Sequence, residues 1–179
     1  MGSNDDLRAL VRTIPDFPKP GIQFRDISTL LLDGPGFAAS IDRLSDLARP
    51  LAPQLIVSIE ARGFIFGAAL AAALGLGLLP VRKPGKLPGA TIGIDYALEY
   101  GHDRLEMHTD GVGPDMRVLI VDDLIATGGT ALAAVSLLRQ AGALVTGALF
   151  VIDLPELGGA ARLREAGVRV DSLMAFEGH

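Results

Sequence analysis

Two short, almost wholly apolar runs, LIVSI at residues 55–59 and VLIV at residues 118–121, limit what this chain can fold into more than any other feature. A strand with one wet face alternates apolar and polar residues. A strand that is apolar nearly throughout is buried on both faces, the pattern of parallel strands covered by helices. Each run is followed at once by polar residues and then by helical periodicity. Residues 129–140 set Leu132, Val135 and Leu138 on one side, Gly142 is a stop signal, and residues 144–152 form a further apolar run. Residues 157–166 and 168–176 repeat the alternation of helix and strand. This order predicts an α/β fold: an open, mainly parallel sheet flanked by helices, with right-handed crossovers.

Upstream, Gly34-Pro35-Gly36 opens a helix through Leu47, with Phe37, Ile41, Leu44 and Leu47 on one apolar face and Pro50 and Pro53 beyond its end. Residues 5–11 read as a short helix. The stretch DFPKPG at 16–21 cannot continue it, because proline removes donors and restricts its predecessor. Residues 1–34 are therefore expected to form an amino-terminal arm, ordered over 13–34. Residues 63–81 carry no charge, long enough for a membrane span, but Gly75, Gly77 and Pro80 interrupt them. A helix over 62–74, a glycine turn and a buried strand over 78–81 fit better. Between 83 and 113 the pattern changes: 92–100 and 104–108 alternate around Gly101-His102-Asp103 like an antiparallel pair, a flexible hairpin-like insertion.

At 179 residues, 49% of them hydrophobic, the chain suits one domain spanning 1–179. A net charge of -5 argues against a broad basic surface for nucleic acid or anionic lipid, so any phosphate site is local. With no cysteine, disulfides and thiolate metal sites are excluded, and a reduced cytoplasm is the expected setting. The start, MGSNDDLRALVR, lacks the basic and apolar stretches of a signal peptide.

In open α/β sheets ligands sit beyond the carboxyl ends of the strands. There, after VLIV, stand Asp122 and Asp123, then Ala126-Thr127-Gly128-Gly129-Thr130 leading into a helix. The glycines let amides face inward, the helix start adds a positive dipole, and Thr127 and Thr130 add hydroxyls: a cradle for one phosphate. Carboxylates would repel that phosphate, so the acid pair suits neighbouring sugar hydroxyls or a hydrated magnesium ion. The bland alternative is a solvated strand end and an ordinary loop. Neither GxGxxG nor GxxxxGK[ST] is present. Arg62 either caps its strand–helix junction or faces a ligand anion, and Arg82, Lys83 and Lys86 are either a solvated loop or a phosphate site. His102, His108 and His179 have no metal-ligand spacing and receive no role.

The segment VLIVDDLIATGGT resembles the phosphoribosyl-pyrophosphate motif of type I phosphoribosyltransferases. DFPKPGIQFRDIS at 16–28, ARGFIFG at 61–67, RKPGKLPG at 82–89 and YALEYG at 96–101 resemble segments of the adenine-specific family, in its order. The resemblance implies that Asp122 and Asp123 hold ribose hydroxyls and that Ala126, Thr127, Gly128, Gly129 and Thr130 hold the 5'-phosphate. Arg62, Arg82 and Lys86 would meet pyrophosphate, and Tyr100 would contact substrate. Ile22, Gln23, Phe24 and Arg25 would form a hood over adenine, with Glu99 as the acid–base group. Two stretches depart from the family's habit: the pair Ile22-Gln23 replaces what are often two aliphatics, and Ala61 stands where a small hydroxyl residue is common. The implied substrates are adenine and phosphoribosyl pyrophosphate and the products AMP and pyrophosphate, with Mg2+ arriving on the substrate, no protein metal site, and a homodimer. Ala126 replaces the aspartate usual in hypoxanthine-guanine enzymes. Enzymes for xanthine or hypoxanthine/guanine, and non-catalytic regulators binding the same ribosyl donor, remain the alternatives.

Overall fold

The structure, a computed structural model, describes residues 4–97 and 101–178. Five strands form one parallel sheet in the order β4-β3-β7-β8-β9: β3 (Leu55–Ile59), β4 (Gly77–Val81), β7 (Arg117–Ile125), β8 (Leu144–Asp153) and β9 (Val170–Ala175). The apolar runs are its interior strands, and their alternate residues serve two separate cores. Val57, Val118, Ile120 and Phe150 face one side, packed with α5 (Gly129–Gln140) and with Leu163 of α6 (Gly159–Glu165). Ile56, Leu119, Val121 and Leu149 face the other, packed with α3 (Gly34–Ala48) and α4 (Gly63–Leu74). Burial on both faces is why these strands show no polar alternation. Each large side chain so buried contributes roughly 1.5–3 kcal/mol relative to exposure.

The uncharged stretch resolves as expected into α4, a left-handed Gly75 and β4. Helix α4 lies close on the sheet through Gly63, Phe66, Gly67, Leu70 and Ala71; a Cβ at Gly67 would stand 2.5 Å from Ser58 Oγ. Among the described residues no helix is long and apolar enough to cross a membrane.

The ordered arm is built of regular structure: β1 (Arg12–Pro15) pairs antiparallel with β2 (Gln23–Asp26), and α2 (Ser28–Leu32) follows α1 (Asp5–Ala9) and this hairpin. Two expectations need correction. The helix read over 157–166 is a 3-10 turn, Pro155–Leu157, followed by the shorter α6, because Gly158 at φ +74° breaks the run. Strand β7 does not stop at Val121; its ladder with β8 continues to Ile125, so Asp122 and Asp123 lie inside a strand. The expected insertion is an antiparallel pair, β5 (Thr91–Ala97) and β6 (His102–His108), whose Leu105 and Met107 reach the first core.

Candidate active site

From β3 the chain runs to β4 on one side of the sheet, whereas β7, the other neighbour of β3, leads on to β8 and β9. Such a change of direction leaves a crevice beyond the strands' carboxyl ends. Here it is a cleft of about 400 Å³, lined by residues 59–62 after β3 and 122–131 at the end of β7 and the start of α5. That volume suits a small molecule.

Both acids line it. Asp123 is buried, and its Oδ2 lies 2.8 Å from Arg62 Nε. The approach lacks hydrogen-bond alignment, so that buried oxygen accepts no hydrogen bond among the described residues. Asp122 Oδ1 accepts the Asp123 N–H at 2.9 Å. Burial lifts the Asp122 carboxyl well above its ordinary range, and the neighbouring Asp123 charge lifts it further. Burial also raises Asp123, against the pull of Arg62. A buried acceptor with spare lone pairs calls for a donor, and sugar hydroxyls are donors. Helix α4 can start this close to Asp122 because it begins on glycine: a Cβ at Gly63 would meet Asp122 Oδ1 at 2.4 Å.

The turn after β7 has the expected form. Gly128 is left-handed at φ +80° and caps α5. The amides of Thr127, Gly128 and Gly129 donate to no group among the described residues, and all three residues line the cleft. Behind the turn, the Gly159 N–H donates to Ala126 O at 2.9 Å, and a Cβ on Gly159 would stand 2.3 Å from that oxygen. Thr130 Oγ1 lies 3.4 Å from the Tyr96 hydroxyl, which is 3.3 Å from Asp103 Oδ2, so the β5–β6 pair is linked to the turn.

The remaining candidates divide. Phe24 on β2 is brought beside the cleft, with the Arg62 guanidinium 5.6 Å from its ring centroid and Phe17 packed edge-on at 5.2 Å. Ile22 is exposed and Gln23 half-buried in the same segment. Arg25 is engaged elsewhere: it donates to Thr13 Oγ1 at 2.6 Å and Glu177 O at 2.7 Å and lies 5.0 Å from the Phe176 ring. Arg82 and Lys86 are not on the cleft wall. Arg82 donates through Nε to Glu60 Oε2 at 3.1 Å and through Nη1 to Lys86 O at 3.1 Å. Glu60, which does line the cleft, is held below the usual carboxylate range, first by the Lys83 N–H and then by Arg82. Glu99 and Tyr100 lie outside the described residues.

Residues 29–163 match the phosphoribosyl transferase domain family. The adenine phosphoribosyltransferase of Erythrobacter litoralis is 66% identical over 175 residues, 98% of each chain. The chain belongs to the adenine phosphoribosyltransferase family. Solved adenine phosphoribosyltransferases share its fold: that of Thermoanaerobacter pseudethanolicus gives a TM-score of 0.92 at 45% identity, covering 97% of this chain and 100% of its own. The Giardia lamblia enzyme, complexed with 9-deazaadenine, gives 0.91 at 34%, covering 98% and 99%. Within this adenine phosphoribosyltransferase framework, sequence reading missed Gly63, Glu60 and Gly159. The paired glycines at 158–159 are the one visible signal, since a helix start needs no second glycine unless something lies against it.

Proposed function

We propose that the chain transfers the 5-phosphoribosyl group of phosphoribosyl pyrophosphate to adenine, giving AMP and pyrophosphate. The observation that carries this reading is the juxtaposition, at one switch point, of a buried acid pair with an unsatisfied acceptor and a turn whose free amides border the same cleft. The first matches the donors of a ribose, the second the acceptors of a 5'-phosphate. In this reading Asp122 and Asp123 accept from the ribose hydroxyls, residues 126–130 hold the phosphate, Arg62, Arg82 and Lys86 serve pyrophosphate, and Tyr100 contacts substrate. Arg82 would reach it by leaving Glu60.

As the C1'–oxygen bond to pyrophosphate breaks, positive charge builds on the ribose and negative charge on the leaving group. The buried carboxylates answer the first and the cations the second. An imidazole nitrogen of adenine forms the new bond, and its proton passes to Glu99, which a closed loop would shield from water. Residues 22–25 supply the hood, Phe24 being the member already seated beside the cleft. Among the described residues no cluster of three or more acids or histidines could hold a resident metal. The two aspartates fit a hydrated Mg2+ carried in by the substrate, which when bound neutralises pyrophosphate charge. A cytoplasmic setting, expected from the lack of cysteine, and a homodimer, which rests on the family resemblance, belong to the same reading; light scattering reads the assembly.

Steady-state kinetics with adenine, hypoxanthine, guanine and xanthine test the reaction. Adenine is expected to show a kcat/KM at least on the order of a hundredfold above hypoxanthine, since unmatched buried polar groups discriminate on that scale. Equal values would remove adenine and favour a 6-oxopurine.

A further inference from the structure

A turn holds an anion only when its N–H groups face the ligand and its carbonyls face elsewhere. In a planar trans peptide the C=O and the following N–H point in opposite directions, so fixing a carbonyl aims the next amide. Two successive carbonyls of the 126–130 turn are fixed from α6, which lines no part of the cleft. The Gly159 N–H takes Ala126 O at 2.9 Å, and Arg162 Nη1 donates to Thr127 O at 2.7 Å. Neither peptide is cis. The Thr127 and Gly128 amides are thereby turned away from α6, and both residues border the cleft. The position is tightly set: a Cβ on Gly128 would stand 2.9 Å from Gly159 Cα. Arg162 itself sits one turn into the helix, its N–H bonded to Gly158 O at 3.0 Å.

We propose that Arg162 is a positioning residue of the phosphate turn, holding the Thr127 carbonyl so that the Gly128 amide faces the 5'-phosphate; this rests on the phosphate reading of residues 126–130. Gly159 packs against Gly128 but hydrogen-bonds only the Ala126 carbonyl, so among the described residues the hydrogen bond that fixes the Thr127 carbonyl comes from Arg162. The guanidinium also polarises the peptide it binds, which makes the amide on the other end a stronger donor. Because Arg162 is exposed, water weakens the bond, and its loss lowers affinity by roughly tenfold rather than a thousandfold.

The test compares ribose 5-phosphate and pyrophosphate binding by calorimetry in wild type, Arg162→Ala and Arg162→Lys, with thermal unfolding alongside. Arg162→Ala is expected to bind ribose 5-phosphate about tenfold more weakly and pyrophosphate as wild type does, with Arg162→Lys recovering most of the loss, because an ammonium still donates to a carbonyl. Unchanged ribose 5-phosphate affinity in Arg162→Ala, or equal weakening of both ligands, overturns the positioning role. Amide chemical shifts of the wild type separate this from failure of the underlying reading: ribose 5-phosphate that shifts none of the amides 127–130 removes the phosphate turn itself.

Discussion

Asp122 carries opposite demands from folding and from ligand binding. Asp122 is half-buried, its carboxyl packed against Gly63 and beside the buried Asp123, so the folded chain favours its protonated form, and its titration is raised. A carboxyl raised on folding gives the fold most support at low pH, and that support is lost as pH climbs through the raised value. Asp122→Asn removes the charge while keeping an oxygen for the Asp123 N–H. This variant is expected to melt roughly 2–4 °C higher at pH 7–8, the shift that about 1 kcal/mol gives a chain of this size. The difference should shrink as the buffer is acidified, and affinity for the ribosyl donor should fall at every pH. Differential scanning calorimetry across pH checks it; a variant less stable than wild type throughout would show that the pair stabilises the fold. The acid pair was visible in the sequence because two adjacent carboxylates are abrupt after VLIV. Their inclusion in β7 was not, because that depends on Asp122 and Ile125 finding partners in β8.

At the scale of elements, Gly158 and Gly159 look alike in sequence and do different work. Gly158 is left-handed at φ +74°, and a Cβ there would meet nothing within 4 Å. Gly159 has ordinary φ, but its Cβ would stand 2.3 Å from Ala126 O and 2.7 Å from Gly128 N, backbone atoms that cannot rotate aside. Gly158→Ala is therefore expected to cost about 1 kcal/mol of stability, the left-handed penalty, and to leave KM for the ribosyl donor near wild type. Gly159→Ala should cost roughly 1–3 kcal/mol and raise that KM, because the whole turn must shift. Urea denaturation and initial rates on both variants make the comparison, and a Gly159→Ala enzyme with wild-type KM would deny that α6 supports the turn. The arm hairpin escaped sequence reading for a related reason. Its strands have four residues each, β1 ends in Pro15, and the turn between them is proline-rich. Its first rung joins residues fourteen apart in the chain: Arg12 and Asp26 are cross-strand partners and an ion pair, and the Asp26 carboxyl is held at about 2 by Ser28 and then Arg12.

Over the whole molecule, the apolar periodicity was enough to give the parallel sheet, since strands buried on both faces announce themselves, whereas the β5–β6 pair is stabilised differently along its length. Near the sheet, Leu105 and Met107 are fully buried, and Arg82 and Glu106 exchange backbone hydrogen bonds at 2.9 and 2.8 Å. Farther out, Asp95, Ala97 and His102 are exposed, and the side-chain ties are ion pairs such as Arg104–Asp95 at 3.1 Å. Exposed pairs of this kind are worth about 0–1 kcal/mol each and weaken with salt. The outer half of the pair should therefore open by itself, and the inner half only with the core. Native-state hydrogen exchange is expected to show a gradient: fast for Asp95, Tyr96 and Asp103, slower for Leu105 and Met107, and slowest for Ile120 and Phe150 in the sheet. Added salt should speed the outer set alone. Binding of the ribosyl donor with Mg2+ should protect it, because Tyr96 meets Thr130 of the turn that would grip the phosphate. Uniform protection from Asp103 to Met107, unaltered by salt or donor, would mean that the pair is a rigid part of the core, and closure over the cleft would then need another moving element.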